Sequence, residues 1–218
     1  MVHPMSIVWP CPFDVETYVQ LGQEIEVPRP PCPRCSGPVQ RWHGYQRHLR
    51  GDRDRLIWVP RVRCTDCRVT HALLPWFVLP WRWDEMKWIG KAVELAAGGM
   101  GHRRIATALG RSENTVRGWL RRIRRRAAEL SRELLARATR WGWSSWETPT
   151  SGLPRLWAAV IAMAEQWTRR RGRGEMWSVA NLITGGRLLV TNRSTPLETK
   201  KTSGWMATKS NSEVWDDS

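Results

Sequence analysis

Two cysteine pairs, Cys32-Pro-Arg-Cys35 and Cys64-Thr-Asp-Cys67, have the spacing of metal-holding knuckles. Two residues between thiols let the chain turn back with its amides pointed at the sulfurs, and two such turns facing each other enclose a tetrahedral cage. Zinc is the expected ion. Four thiolates leave no open coordination position, so the metal is expected to be structural. The 28 residues between the pairs exceed the usual interval of about 15–20, which predicts a zinc ribbon with a long hairpin. Leu56 to Val62 is rich in strand-forming residues, and Gly51-Asp52 supplies the turn. Four reduced structural thiols, or a redox pair, are alternative readings of the same spacing. His43, His48 and His71 are further ligand candidates, though none has a spacing that favours it over a cysteine. Cys11, between Pro10 and Pro12, reads as a small buried hydrophobe.

The second constellation is basic. In HRRIATALGRSENTVRGWLR, His102 to Arg121, the positions Ile105, Ala106, Leu109, Val116 and Trp119 are apolar or small where one short helix would cross another. Gly110 suits the turn because it accepts positive φ, and the Ser112 hydroxyl can cap the second helix. This is the pattern of a helix-turn-helix. Its second helix would then present Ser112, Glu113, Asn114, Thr115, Arg117 and Arg121 at the major groove of double-stranded DNA, with Asn114, Arg117 and Arg121 as base readers. Arg103, Arg104, Arg111, Arg122, Arg124 and Arg125 are candidates for phosphate. Between Arg103 and Arg126 nine arginines face one carboxylate, a local charge of +8. The plainer alternative is a helical hairpin with a solvated basic face.

The whole chain has the same bias: 218 residues with 35 Lys and Arg against 20 Asp and Glu, a net charge of +15. Such a charge calls for a polyanionic partner. No apolar run approaches the roughly 20 residues of a membrane span, and the N-terminus lacks a basic start and apolar centre. We therefore expect a cytoplasmic protein without membrane contact, in keeping with cysteines that look metal-bound rather than disulfide-linked. There are 16 tryptophans against 2 Phe and 2 Tyr. Trp119 and Trp157 lie on periodic apolar faces and read as core, while Trp141, Trp143 and Trp146 lack periodicity and read equally as base-stacking groups or as part of a poorly constrained segment. On the hairpin, Arg41, Arg47, Arg50, Arg53, Arg55, Arg61 and Arg63 alternate with Trp42, Tyr45 and Trp58. That surface fits phosphate and base contact or a merely solvated face.

The elements that must position these groups follow from periodicity. The fold class expected is α+β, mainly α: ribbon hairpins, a three-helix helix-turn-helix unit and a small C-terminal helical segment. Residues 1–83 comprise an N-terminal arm, with an edge strand at Ser6 to Trp9, and the ribbon. Leu73 to Trp83 reads as an apolar connector broken by Pro75 and Pro80. Residues 84–138 hold the helices, the first capped by Asp84 and stopped at Gly98-Gly99, the last running to about Ala138. Leu130, Leu134 and Leu135 recur at helical spacing there and offer a face to a second copy, a homodimer. Residues 139–152 read as a linker. A helix opening near Pro154 and another from Glu175 to Ile183 fill 153–190, and 191–218 is expected to be disordered.

The motif order resembles the N-terminal regions of insertion-sequence transposases. More closely, it is similar to an uncharacterised bacterial family, a domain of unknown function, through PRPPCPRCSGPV, GYQRHLR, VRCTDCRVTHALLPWFVLP, IGKAVELAAGGMGHRRIATALGRSENTVRGWLRR and ITGGRLL. The resemblance spans about Ile7 to Val190. It implies zinc at Cys32, Cys35, Cys64 and Cys67 and DNA contact from the helix that begins near Ser112. Transposase ribbons often carry glycine after the second cysteine of a knuckle, where this chain has Ser36 and Arg68. Strand transfer would need three carboxylates holding two metal ions, yet no aspartate lies between Asp84 and Asp216, and only 88 residues follow Leu130. The chain is therefore expected to bind rather than to catalyse, as a regulatory or transposon-associated DNA-binding protein. A transposase or recombinase subunit working with a catalytic partner, and a zinc-ribbon scaffold for protein contacts, are the alternatives.

Overall fold

The computed structural model describes residues 6–144 and 148–189. Trp146 and the tail from 191 onward, both singled out above, lie outside the described residues. The described chain is mixed α/β, with more helix than strand. A four-stranded sheet in the order β1-β4-β3-β2 precedes a set of packed helices.

The long hairpin forms where the spacing of the cysteine pairs calls for it. Strand β2 (Val39–Arg50) runs antiparallel to β3 (Asp54–Cys64), from Val39 opposite Cys64 to Arg50 opposite Asp54, with a register shift between Arg41 and Gly44. One end of the hairpin thus holds the cysteines. At about 3.4 Å per residue, the turn at 51–53 lies more than 30 Å away. Strand β4 (Thr70–Pro75) adds antiparallel to β3, and β1 (Ser6–Trp9) adds parallel to β4 at the edge. The edge strand expected at Ser6 to Trp9 is present. Leu73 to Pro75, expected to be connector, instead belongs to β4. Pro75 is the last residue of its strand, where a missing N–H does little harm.

Between β1 and the first knuckle, helix α1 (Val15–Leu21) was not anticipated. The Asp14 carboxylate accepts from the Thr17 amide at 2.8 Å, and Tyr18 is buried and bonded through its hydroxyl to Trp58 O. An N-capping aspartate followed by Val15, Tyr18 and Val19 was the available signal, masked by the flanking prolines.

Five further helices follow: α2 (Met86–Ala97), α3 (His102–Leu109), α4 (Glu113–Arg140), α5 (Gly152–Arg171) and α6 (Met176–Ile183). Ile89, Val93, Ile105, Leu109, Val116, Trp119, Leu130, Leu134, Leu156, Val160 and Trp177 belong to a single buried cluster. The helices on either side of 139–152 therefore share one core. Leu130 and Leu134, offered above to a second copy, are fully buried within this chain, since α4 packs along α5. That face is not free for a homodimer. Trp119 is core as expected. Trp157 is half-buried, stacked on Trp177 at 5.7 Å between ring centroids. Trp141 and Trp143 pack against the same cluster, with Trp141 6.2 Å from Trp167, which accounts for two of the three tryptophans considered for base stacking.

Hydrogen bonds join the sheet region to helices α6 and α2. The Asn181 amide of α6 donates to Trp76 O at 2.7 Å and Val78 O at 3.0 Å. The hairpin turn meets the start of α2, with Arg50 N–H on Trp83 O and Glu85 N–H on Arg50 O. Asp84 does not cap α2; Glu85 holds the N-cap position without a side-chain cap bond. Asp84 is buried, and burial raises its carboxyl above the ordinary carboxylate range while Arg50 and Arg111 pull it back. Arg111 pairs with it at 3.4 Å, donates to Gly51 O at 2.8 Å and lies 5.5 Å from the Trp88 ring.

Candidate metal centre and basic helix face

The two knuckles are near-copies of each other. In the first, the Cys32 amide donates to Gly37 O at 2.8 Å; in the second, the Cys64 amide donates to Val69 O at 2.9 Å. Each is a turn spanning five residues onward, and each passes through a left-handed residue at the fifth position of the knuckle, Ser36 at φ 64° and Arg68 at φ 58°. That conformation is the one glycine takes at low cost. Ser36 and Arg68 both adopt it without being glycine. The Thr65 amide donates to Pro38 O at 3.0 Å and ties one knuckle to the other.

The result brings Cys32, Cys35, Cys64 and Cys67 together, with all four sulfurs within 4.8 Å of one another. Cys35 and Cys64 are 3.4 Å apart and Cys32 and Cys67 3.6 Å. A regular tetrahedron of thiolates around zinc, at about 2.3 Å from the ion, has edges of about 3.8 Å. The cluster is therefore of a size that can hold a metal ion, and the donor set fits a soft or borderline cation. Backbone amides also serve the sulfurs. Burial pushes the Cys32 thiol up to about 12 against the pull of the Cys35 and Arg34 amides. For Cys64, burial is outweighed by the amides of Cys67 and Asp66 and by the neighbouring thiols, which bring it down to about 7. The Gly37 amide lowers Cys35, but its hydrogen bond to Cys64 and its burial carry the net shift upward.

His71 stands beside this cluster and not in it. Its ring is fully buried on β4, with Nε2 3.3 Å from the Cys32 sulfur. With the proton on Nε2, the ring donates to that sulfur and orients it, as residues just outside a metal's ligands commonly do. The sequence offered His71 as a substitute ligand. Its position across the sheet from Val62 makes it a support instead. His43 and His48 lie on β2, away from the knuckles. Cys11 is buried on its own, its thiol raised by burial to about 12, consistent with a packing role.

The basic residues of the helices separate into two groups. Gly110 ends α3 in the left-handed conformation, φ 60° and ψ 36°, and Ser112 caps α4 by accepting from the Thr115 amide at 3.3 Å. From there, Ser112, Glu113, Asn114, Arg117, Arg121, Arg124 and Arg125 are exposed on α4, and Arg103 and Arg104 are exposed on α3. Asn114 accepts from Arg117 at 3.0 Å, and Arg103 sits 3.5 Å from Glu113. Thr115, Arg111 and Arg122 are only partly exposed. Arg111, placed above among the phosphate contacts, is taken up by Asp84 and Gly51. Arg122 donates to Gly118 O at 3.0 Å.

The arginines of the hairpin are also divided. Arg47 is largely buried and donates to the carbonyls of Leu79 and Arg82, and Arg55 pairs with Glu16 of α1. These two hold elements together. Arg63 lies 4.8 Å from the Trp42 ring, leaving an exposed cationic and aromatic surface at the other edge.

Among the described residues no helix is long and apolar enough to cross a membrane. Neither the curated proteins nor the solved structures contain a match to the chain. A family described as Domain of unknown function (DUF6431) matches residues 32–119, from the first cysteine of the metal-site cluster to Trp119 on α4.

Proposed function

We propose that this is a zinc-stabilised protein that binds duplex DNA, with α3, the Gly110 turn and α4 acting as a helix-turn-helix. One observation carries the reading. The N-terminal half of α4, held by Ser112 and supported from below by α2 and α3, exposes Asn114, Arg117, Arg121, Arg124 and Arg125 with Glu113 as the sole carboxylate on that stretch. An exposed helix of this charge matches the width of the major groove and the phosphates along it. The four cysteines hold Zn²⁺ in a structural site at the far end of the hairpin. Its role is to order the sheet to which the helices are attached.

The chain recognises and leaves chemistry to others, in a regulatory or transposon-associated setting within the cytoplasm. A transposase or recombinase subunit paired with a catalytic partner, and a scaffold for protein contacts, are the competing roles. Selection of bound duplexes from a random pool tests the reading, followed by two variants. Arg117→Ala is expected to relax sequence preference, with a loss at the preferred base of about 1–3 kcal/mol, whereas Arg124→Ala weakens all duplexes alike. No enrichment, or equal effects of the two variants on preference, refutes the assignment.

A further inference from the structure

The segment between β4 and α2 leaves two tryptophans in solvent beside α4. Trp81 is 72% exposed and Trp83 56%. Folding gains little from the Trp81 indole, since the usual gain from an aromatic side chain is its burial, and more than half of Trp83 stays open to solvent. Trp81 also holds φ 62°, a left-handed conformation that a bulky residue rarely adopts. An exposed aromatic held in an unfavourable backbone conformation calls for an explanation outside packing.

A groove of about 360 Å³ runs between this segment and the helix. Arg50, Trp81 and Trp83 line one side, and Asn114, Gly118 and Arg122 line the other. Gly118 lies in the interior of α4, where alanine would be the more favourable residue. It leaves the wall of the groove low, and a Cβ there would meet only the Arg122 guanidinium, at 3.0 Å. The groove is cationic. Arg50, Arg82 and Arg122 line it against one carboxylate, Asp84, which is buried and paired with Arg111. The Arg50 guanidinium stands 5.2 Å from the Trp83 ring, which also meets the His48 ring at 5.9 Å, and among the described residues the buried Nε atoms of Arg82 and Arg122 have no hydrogen-bond partner.

Exposed indoles among guanidinium groups are what stacks nucleobases and meets the phosphates between them. A base within a duplex has both faces covered by its neighbours, so the ligand that fits is unpaired. We infer that this groove binds unpaired bases of a DNA strand, stacked on Trp81 and Trp83, where that strand continues from the duplex lying along α4. The protein thereby favours a duplex with a single-stranded flank over a blunt one. The inference rests on the duplex reading for its location, although the groove's affinity for unpaired bases can be measured alone.

The test compares the full chain with Trp81→Gly and Trp83→Ala on three DNAs: a blunt duplex, the same duplex with a six-base overhang, and an oligo(dT) single strand. The first overhang position carries 2-aminopurine, whose fluorescence falls on stacking. The wild type is expected to prefer the overhang by about tenfold, with quenching of the probe. Trp81→Gly is expected to melt no lower than the wild type, because glycine accepts the positive φ, yet to lose both preference and quenching while blunt-duplex affinity is unchanged. Equal wild-type affinity for blunt and overhang DNA, or a preference that survives both variants, overturns the inference. If no duplex binds, the duplex reading fails on its own. Binding of the single strand that Trp81→Gly abolishes would then still support the groove, and its absence would refute it.

Discussion

Replacing Ser36 and Arg68 with glycine is expected to strengthen the protein. Both residues occupy the left-handed region, at φ 64° and φ 58°, which costs an L-residue about 1–2 kcal/mol relative to its right-handed alternative. Glycine removes that cost but brings a more flexible unfolded chain, worth about 0.5–1 kcal/mol in the opposite direction. The net gain is about 0.5–1 kcal/mol at each site by these two principles. Among the described residues neither side chain makes a hydrogen bond that glycine would lose. The Ser36 amide on Cys32 O and the Arg68 carbonyl that accepts from Arg63 Nε both belong to the backbone. Full additivity would give about 1–2 kcal/mol and a rise in Tm of about 2–8 °C for a chain of this size, and any shortfall in the double variant measures coupling between knuckles that share one cysteine cluster. Thermal and urea unfolding of the singles and the double, with metal present, provides the measurement. Ser36→Val serves as the opposite control and should destabilise, since a β-branched residue tolerates positive φ poorly. Glycine variants that melt lower than the wild type would refute the claim that these two positions strain the knuckles.

Three further perturbations probe the rest of the structure. Cys64→Ser should release zinc and unfold the ribbon, as followed by metal analysis and circular dichroism, and retention of one metal ion per chain would contradict the four-cysteine site. Arg111→Ala leaves the buried Asp84 carboxylate without its ion pair at 3.4 Å and should destabilise by about 3 kcal/mol at neutral pH. Because burial raises the Asp84 pKa in the folded state, its ionisation opposes folding as pH rises above the unfolded carboxyl value. The penalty of Arg111→Ala should therefore shrink toward acid pH and in an Asp84→Asn background, and a penalty independent of both would place the role of Arg111 elsewhere. Leu134→Ala should cost about 2–5 kcal/mol through a cavity between α4 and α5. Analytical ultracentrifugation should show no change in association state, and loss of a dimer would restore the face to an intermolecular role.

Much of the helical half could be read in advance, because its signals are local. Gly99 and Gly110 follow helix ends at positive φ, and Ser112 and Glu175 cap helices through their own side chains. The cysteine spacing likewise foretold a hairpin long enough to span β2 and β3. Relations between distant segments were less accessible. Leu130 and Leu134 form the same stripe whether α5 or a second copy covers them, and only the packed structure distinguishes the two. Asp84 has the chemistry of a cap, yet its burial beside Arg50 and Arg111 gives it a different task. Spacing from the cysteines gives His71 no distinct role, whereas the fold sets its ring 3.3 Å from the Cys32 sulfur. The groove beside α4 depends on Arg50, Trp83 and Gly118, three residues far apart in the chain that the hairpin turn brings together.

The central claim is that the exposed arginines of α4 meet DNA phosphates, and an equilibrium titration of the full chain against a selected duplex over a range of salt tests it most directly. Neutralising about six phosphates predicts a loss of affinity of about a thousandfold between 50 and 200 mM monovalent salt. A flat salt response, or no duplex binding at the low end, would contradict it.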